Sequence, residues 1–157
     1  PRDSIAGMAQ LNDAIGEVLA VKGGKVFSLR PEATVLDAVR LMAAENIGAV
    51  VVAFDGAPVG LFTERDFLRK LAFGTRRAAE TGLVEVMTSP VITVSVRATV
   101  DEALQLMTVK RLRHLPVFEA GELRGLVSIG DLVKWVITSQ KRTIRQLEDY
   151  IAGRYPG

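Results

Sequence analysis

The sequence predicts an α/β fold of the α+β kind, built as two tandem βαββα repeats, and three observations carry that reading. First, when the chain is laid over itself with a shift of 65 residues, Val26 to Leu71 matches Val91 to Val136 without a gap. Self-similarity at a fixed spacing marks one supersecondary unit used twice. Ala33-Thr34-Val35 falls on Ala98-Thr99-Val100, Leu41-Met42 on Leu106-Met107, Gly60-Leu61 on Gly125-Leu126, and Asp66 on Asp131. Second, each unit holds a helix-length apolar segment followed by a short apolar run, of which Ala49 to Phe54 is the clearest. Third, Asp55-Gly56 gives a short-turn signal, with Gly121 at the matching place in the second unit.

Each element then follows in order. Residues 1–20 are expected as a lead-in helix, 21–73 as the first repeat, 74–83 as a linker, 84–137 as the second repeat and 138–157 as a C-terminal helix. Val26 to Leu29 reads as a short strand. Thr34 caps the next helix, and Asp37, three residues on, reaches back to the N–H of the cap; Thr99 and Glu102 repeat that capping box. The helix from Val35 to Glu45 stops near Asn46 and Gly48. Ala49 to Phe54 suits a buried strand, and Pro58 to Phe62 and Leu123 to Val127 are the return strands of the two hairpins. Second helices start at Thr63 and Ser128. Phe73 to Gly82, with Arg76, Arg77 and Glu80, reads as an exposed linker. The last helix, from Asp131 to about Ile151, is expected to break or bend near Thr138-Ser139. It carries Ile144, Leu147 and Ile151 as one apolar stripe suited to packing on a neighbour.

Composition bounds the function. With 157 residues and 48% apolar content the chain can bury a core. The absence of cysteine excludes disulfides, thiolate nucleophiles and sulfur-ligated zinc, and fits a reducing compartment. The apolar run Ala49 to Phe54 is far shorter than the roughly 20 residues that cross a bilayer, so a cytoplasmic protein with no membrane partner is expected. The 20 basic and 18 acidic residues are interspersed, so the net charge of +2 leans only weakly toward anionic ligands. One His, no Cys and no nucleophile elbow, H-E-x-x-H motif or Walker loop argue against an enzyme, and no catalytic residue, catalytic cofactor or metal site is expected. Lys141, Arg142 and Arg145 on the last helix admit a nucleic-acid reading. A solvated face explains them equally well, and aromatic residues for stacking are few.

The polar chemistry lies at the second helix of each repeat, in Gly60-Leu61-Phe62-Thr63-Glu64-Arg65-Asp66 and Gly125-Leu126-Val127-Ser128-Ile129-Gly130-Asp131. A hydroxyl and a carboxylate three residues apart at a helix N-terminus suit a phosphate on the free N–H groups and a ribose diol on the carboxylate. The same spacing is an ordinary cap, so it leaves both readings open. Arg111, Arg113 and His114 could neutralise a phosphate, or be a solvated face and a junction histidine. The first repeat has Ile47-Gly48-Ala49-Val50 there, so the two sites are not equivalent, and the glycine leaves room for close backbone approach. The helices that open the repeats, with Val35, Leu36, Val39, Leu41 and Met42 in the first and Val100, Leu104, Leu106, Met107 and Val109 in the second, are apolar on more than one face. They call for packing of the repeats on each other and for a homodimer interface.

These residues resemble the tandem cystathionine-β-synthase (CBS) domain pair, or Bateman module, over nearly the whole chain. The marks are the two G-h-h-[ST]-x-x-D endings, Met87-Thr88 leading into the second repeat, and Arg113-His114-Leu115-Pro116-Val117. The resemblance extends to stand-alone CBS-pair proteins described as signal-transduction or nucleotide-sensing proteins. It implies a cleft between repeats binding an adenine nucleotide, AMP, ADP, ATP or NAD(H), in two pseudosymmetric sites. In one, Asp66 holds ribose and Thr63 phosphate, Val91 and Ile92 line the adenine slot, Arg113, His114 and Pro116 close it, and Arg65 and Thr88 belong to the same set. In the other, Asp131 and Ser128 act with Val26, Phe27, Gly48 and Ala49. The resemblance also implies homodimers and a regulated partner protein, which no residue here identifies. A ligand-independent, dimeric protein-interaction scaffold is the alternative.

Overall fold

A computed structural model of the chain describes residues 10–23 and 25–152, apart from the side chains of residues 140–143. The ends of the expected lead-in (1–9) and tail (153–157), and the side chains of Lys141 and Arg142, lie outside the described residues. The fold is α+β. Its residues gather into two bodies that cut across the repeats. Among the described residues, one takes 10–23, Ser95–Leu115 and 127–152; the other takes 25–94 with Pro116–Leu126.

In the second of these bodies, β1 (Ser28–Leu29), β2 (Ala49–Phe54) and β3 (Ala57–Thr63) form a sheet in that order, with β1 parallel and β3 antiparallel to β2. The first strand is half as long as the Val26-to-Leu29 reading, because only Ser28 and Leu29 find register partners, Val51 and Val52. Helix α2 (Val35–Glu45) has the expected bounds. Thr34 Oγ1 accepts from Asp37 N–H at 3.1 Å, and the Asp37 carboxylate accepts from Thr34 N–H at 3.0 Å. That bond to the Thr34 N–H also holds the Asp37 carboxyl below its ordinary range. Asn46 ends the helix in the left-handed region at φ 55.

Alternation along β2 places Val50 and Val52 on one face, where they pack with Val35, Ala38, Met42 and Phe62. Ala49 and Val51 face the other way and meet Leu61, Val91, Leu123 and Leu126. Both faces are covered, which is why this strand reads as a continuous apolar run. Asp55 and Gly56, at φ 51 and 80, close the hairpin. Helix α3 (Glu64–Lys70) follows β3, and a short 3-10 turn (Ala78–Glu80) leads to α4 (Leu83–Val86). The linker is exposed only in part. Thr81 is 4% exposed and its carbonyl accepts from Val35 N–H at 2.8 Å, so its backbone completes the start of α2.

In the other body, α1 (Ile15–Lys22), α5 (Val100–Lys110) and the start of α6 (Ile129–Ile151) pack through Ile15, Val18, Val100, Ala103, Met107 and Leu132, all buried. Thr99 and Glu102 form the second capping box, at 3.0 and 2.8 Å. The Trp135 indole donates to Asp13 at 2.9 Å and ties α6 to the residues before α1. Helix α6 runs unbroken through Thr138-Ser139. Neither residue removes a backbone donor as proline would, and each costs a helix only tenths of a kcal/mol, so the expected break does not form.

The second hairpin consists of β4 (His114–Glu119) and β5 (Glu122–Ser128). The strand that should open the second repeat shrinks to a single bridge, Val94 to Val117.

Candidate functional site

Two short motifs, each a strand end running into a helix, hold the predicted carboxylates. At the start of α3, Thr63 Oγ1 accepts from Asp66 N–H at 3.1 Å. Asp66 Oδ2 accepts in turn from Thr63 N–H at 3.0 Å and from its hydroxyl at 3.2 Å. At the start of α6, Ser128 Oγ accepts from Asp131 N–H at 3.0 Å, and Asp131 Oδ2 accepts from Ser128 N–H at 2.8 Å. The first helical N–H of each is also engaged: Glu64 donates to the Gly48 carbonyl at 3.1 Å, and Ile129 to that of Arg113 at 2.9 Å. Both motifs are therefore capping boxes here, with their hydroxyls and several N-terminal donors already in use.

Beyond the caps the two differ. Asp66 is 8% exposed, and the Thr88 hydroxyl donates to its Oδ1 at 3.1 Å while Lys70 Nζ sits 3.3 Å from the same oxygen. Lys70 also donates to the Val86 carbonyl at 2.7 Å, which fixes the ammonium over the carboxylate. A buried carboxylate needs this much pairing. Asp131 is more open, its side chain 25% exposed, and its partner is Lys22 at 2.7 Å. Partial burial by itself pushes the Asp131 carboxyl up, but the Lys22 ammonium and the Ser128 N–H outweigh it and hold the group below the ordinary aspartate value.

The remaining predicted residues divide between the bodies. Val26, Phe27, Gly48, Ala49, Val91, Ile92 and Pro116 fall with Thr63, Arg65, Asp66 and Thr88; Arg113 and His114 fall with Ser128 and Asp131. Ala49 and Val91 share one apolar cluster, and Leu61 pairs with Thr88 through backbone bonds of 3.0 and 2.8 Å, bringing Thr88 to Asp66. Arg65 and Arg113 are exposed, whereas His114, Val26, Phe27 and Ile92 are half-buried. A Cβ at Gly48 would lie 2.7 Å from the Glu64 carboxylate, so the absence of a side chain there lets Glu64 fold over the strand end. Arg113 and Ile129 stand at the matching positions of the second repeat and cannot reproduce that contact.

Two charged neighbours of these carboxylates are absent from the sequence reading. Lys70 lies four residues after Asp66, a helical pairing distance that the sequence displays. Lys22 is 109 residues from Asp131, and no local signal links them. Among the described residues no group of three or more His, Asp or Glu side chains is placed to hold a metal ion, and no helix is long and apolar enough to cross a membrane.

The family model described as CBS domain matches twice, over residues 16–73 and 83–138. The chain is 38% identical over 150 residues to the mitochondrial CBS domain-containing protein CBSX3 of Arabidopsis thaliana, across 90% of this chain and 73% of that protein. It is 34% identical over 109 residues to the CBS domain-containing protein YhcV of Bacillus subtilis, across 69% of this chain and 76% of that one. Among solved structures, the CBS domain NE2398 shares 41% identity at a TM-score of 0.76, covering 80% of this chain and 98% of that one.

Proposed function

Because the chain belongs to the CBS-domain family as a tandem pair, we propose that it is a regulatory module that binds an adenine nucleotide and signals to a separate protein. The observation that carries the reading is the buried Asp66 carboxylate, which already accepts from two hydroxyl groups, those of Thr63 and Thr88. A ribose diol presents the same two donors, so it can replace them without leaving the carboxylate short of partners. Thr63 and Arg65 are then at hand for phosphate, and Val91 and Ile92 supply apolar surface for a base. Pro116, in the same body, adds apolar surface.

In the second motif Asp131 and Ser128 play the matching parts. Each carboxylate already has a lysine partner, Lys70 at Asp66 and Lys22 at Asp131, but Asp66 also gathers two hydroxyl donors and is the more buried. Two sites of unequal affinity follow, with Asp66 the stronger. Regulation requires that the nucleotide favour one arrangement of the module over another, since a ligand with equal affinity for both shifts nothing. We also propose homodimers through α2 and α5, where Leu36, Leu104 and Leu106 stay half-buried and Val109 is 74% exposed in one chain.

Calorimetric titration of the ligand-stripped protein with AMP, ADP, ATP, NAD and NADH tests the reading. Micromolar binding is expected for at least one of them. Asp66→Ala abolishes the tighter event, whereas Asp131→Ala leaves it. Absence of heat with all five nucleotides overturns the proposal in favour of a protein-interaction scaffold.

A further inference from the structure

Helix α6 contains two different surfaces. Leu132 is fully buried and Trp135, Val136 and Ser139 are half-buried, so this stripe closes the body formed with α1 and α5. A second stripe runs beside it and is exposed. Val133 and Ile137 are each 46% exposed, Ile144 56%, Leu147 58% and Ile151 83%. From Ile144 to the end of the helix no residue is buried. A helical end of this length gains little from propensity alone and is marginal in water unless its apolar face is packed.

The spacing of the second stripe says what packs on it. Ile137, Ile144 and Ile151 recur every seven residues, and Val133, Gln140 and Leu147 do the same, offset from them by three and four. That is the heptad of a coiled coil, with isoleucine at three successive a positions, leucine or valine at two d positions and one polar d residue. A narrow a/d seam serves a second helix of the same kind.

Charge selects the direction. The flanking e positions are Lys134, Lys141 and Glu148, and the g positions are Val136, Thr143 and Tyr150. In a parallel pair e faces g, and no opposite charges meet. In an antiparallel pair e faces e, so Lys134 of each copy meets Glu148 of the other, twice by symmetry. One Lys141 pair at the centre opposes this. We propose that α6 is an interaction surface for a second copy of this chain, joined as an antiparallel two-stranded coiled coil. Val133 of one copy packs on Ile151 of the second, Ile137 on Leu147, and Ile144 beside Gln140. This interface is separate from the one proposed at α2 and α5 and does not depend on nucleotide binding.

Because the chain has no cysteine, disulfide trapping reads the arrangement directly. Val133→Cys and Ile151→Cys chains are oxidised mildly, each alone and then mixed in the reduced state beforehand. The expected result is a covalent dimer in the mixture and none with either alone. Dimers formed by each variant alone mean a parallel pair, and no dimer in the mixture means no such interface; either overturns the proposal. The same pair supplies the second readout. Ile144→Asp combined with Leu147→Asp, both at exposed positions, is expected to abolish the covalent dimer between Val133→Cys and Ile151→Cys chains while the circular dichroism of the folded body persists. A covalent dimer that still forms at the parent yield overturns the proposal.

Discussion

Asp66 and Asp131 occupy matching places in a duplicated motif, yet one is neutralised by a lysine on its own helix and the other by a lysine from the far end of the chain. The difference has a pH consequence. The Asp131 carboxyl lies below its ordinary value of 3.8 in the folded protein, so between the two values the unfolded chain binds more protons. The pair's contribution is therefore complete above about 4 and is lost as pH falls through the folded value. Lys22→Met is expected to lower stability at neutral pH by less than about 1 kcal/mol, because the pair is partly exposed. In urea denaturation at stepped pH the gap between variant and parent closes in acid; a gap that persists there rules the pairing out as its cause. Backbone conformation gives a second prediction at this scale. Ala120 sits at φ 53 in the turn where the first repeat has Asp55 at φ 51. Alanine pays a steric cost in that region which asparagine largely avoids. Ala120→Asn should raise stability by on the order of 1 kcal/mol in the same denaturation experiment.

Helices α2 and α5 begin and end by rules contained in their own residues. Thr34 with Asp37 and Thr99 with Glu102 start them, and Asn46 and Arg111, both left-handed, stop them. Thr99→Ala leaves the Glu102 N–H without its cap and should cost about 1 kcal/mol, measured as a shift in the denaturation midpoint with unchanged slope. Strands depend more on what surrounds them. Phe62 in β3 is fully buried among Val35, Val50 and Val52, so Phe62→Ala should cost about 3–5 kcal/mol in the same assay. A loss below about 1 kcal/mol, the usual effect of a surface change, contradicts that packing. The two strands that open the repeats show the limit of local rules. Val26 to Leu29 and Val91 to Val94 are both apolar enough for strands, but pairing partners exist for two residues in one case and for one in the other.

At the scale of the molecule, a ligand that binds only the folded chain stabilises it in proportion to the logarithm of its concentration. A nucleotide at a hundred times its dissociation constant should add about 2.7 kcal/mol, seen as a raised melting temperature that Asp66→Ala abolishes. A stabilisation of equal size in that variant would move the site elsewhere. Sequence alone determined the duplication, the helix bounds of α2, both capping boxes, the Asp55-Gly56 turn and the paired hydroxyl and carboxylate of each repeat. These depend on residues three or four apart, or on similarity at a fixed offset, and both survive in a linear string. Tertiary structure alone decided that the two bodies cut across the repeats, that Thr81 is buried, and that Lys22 rather than a helical neighbour holds Asp131. Those outcomes join residues far apart in the chain. Which distant surfaces meet depends on the whole set of packing contacts competing at once, and no short segment records the result.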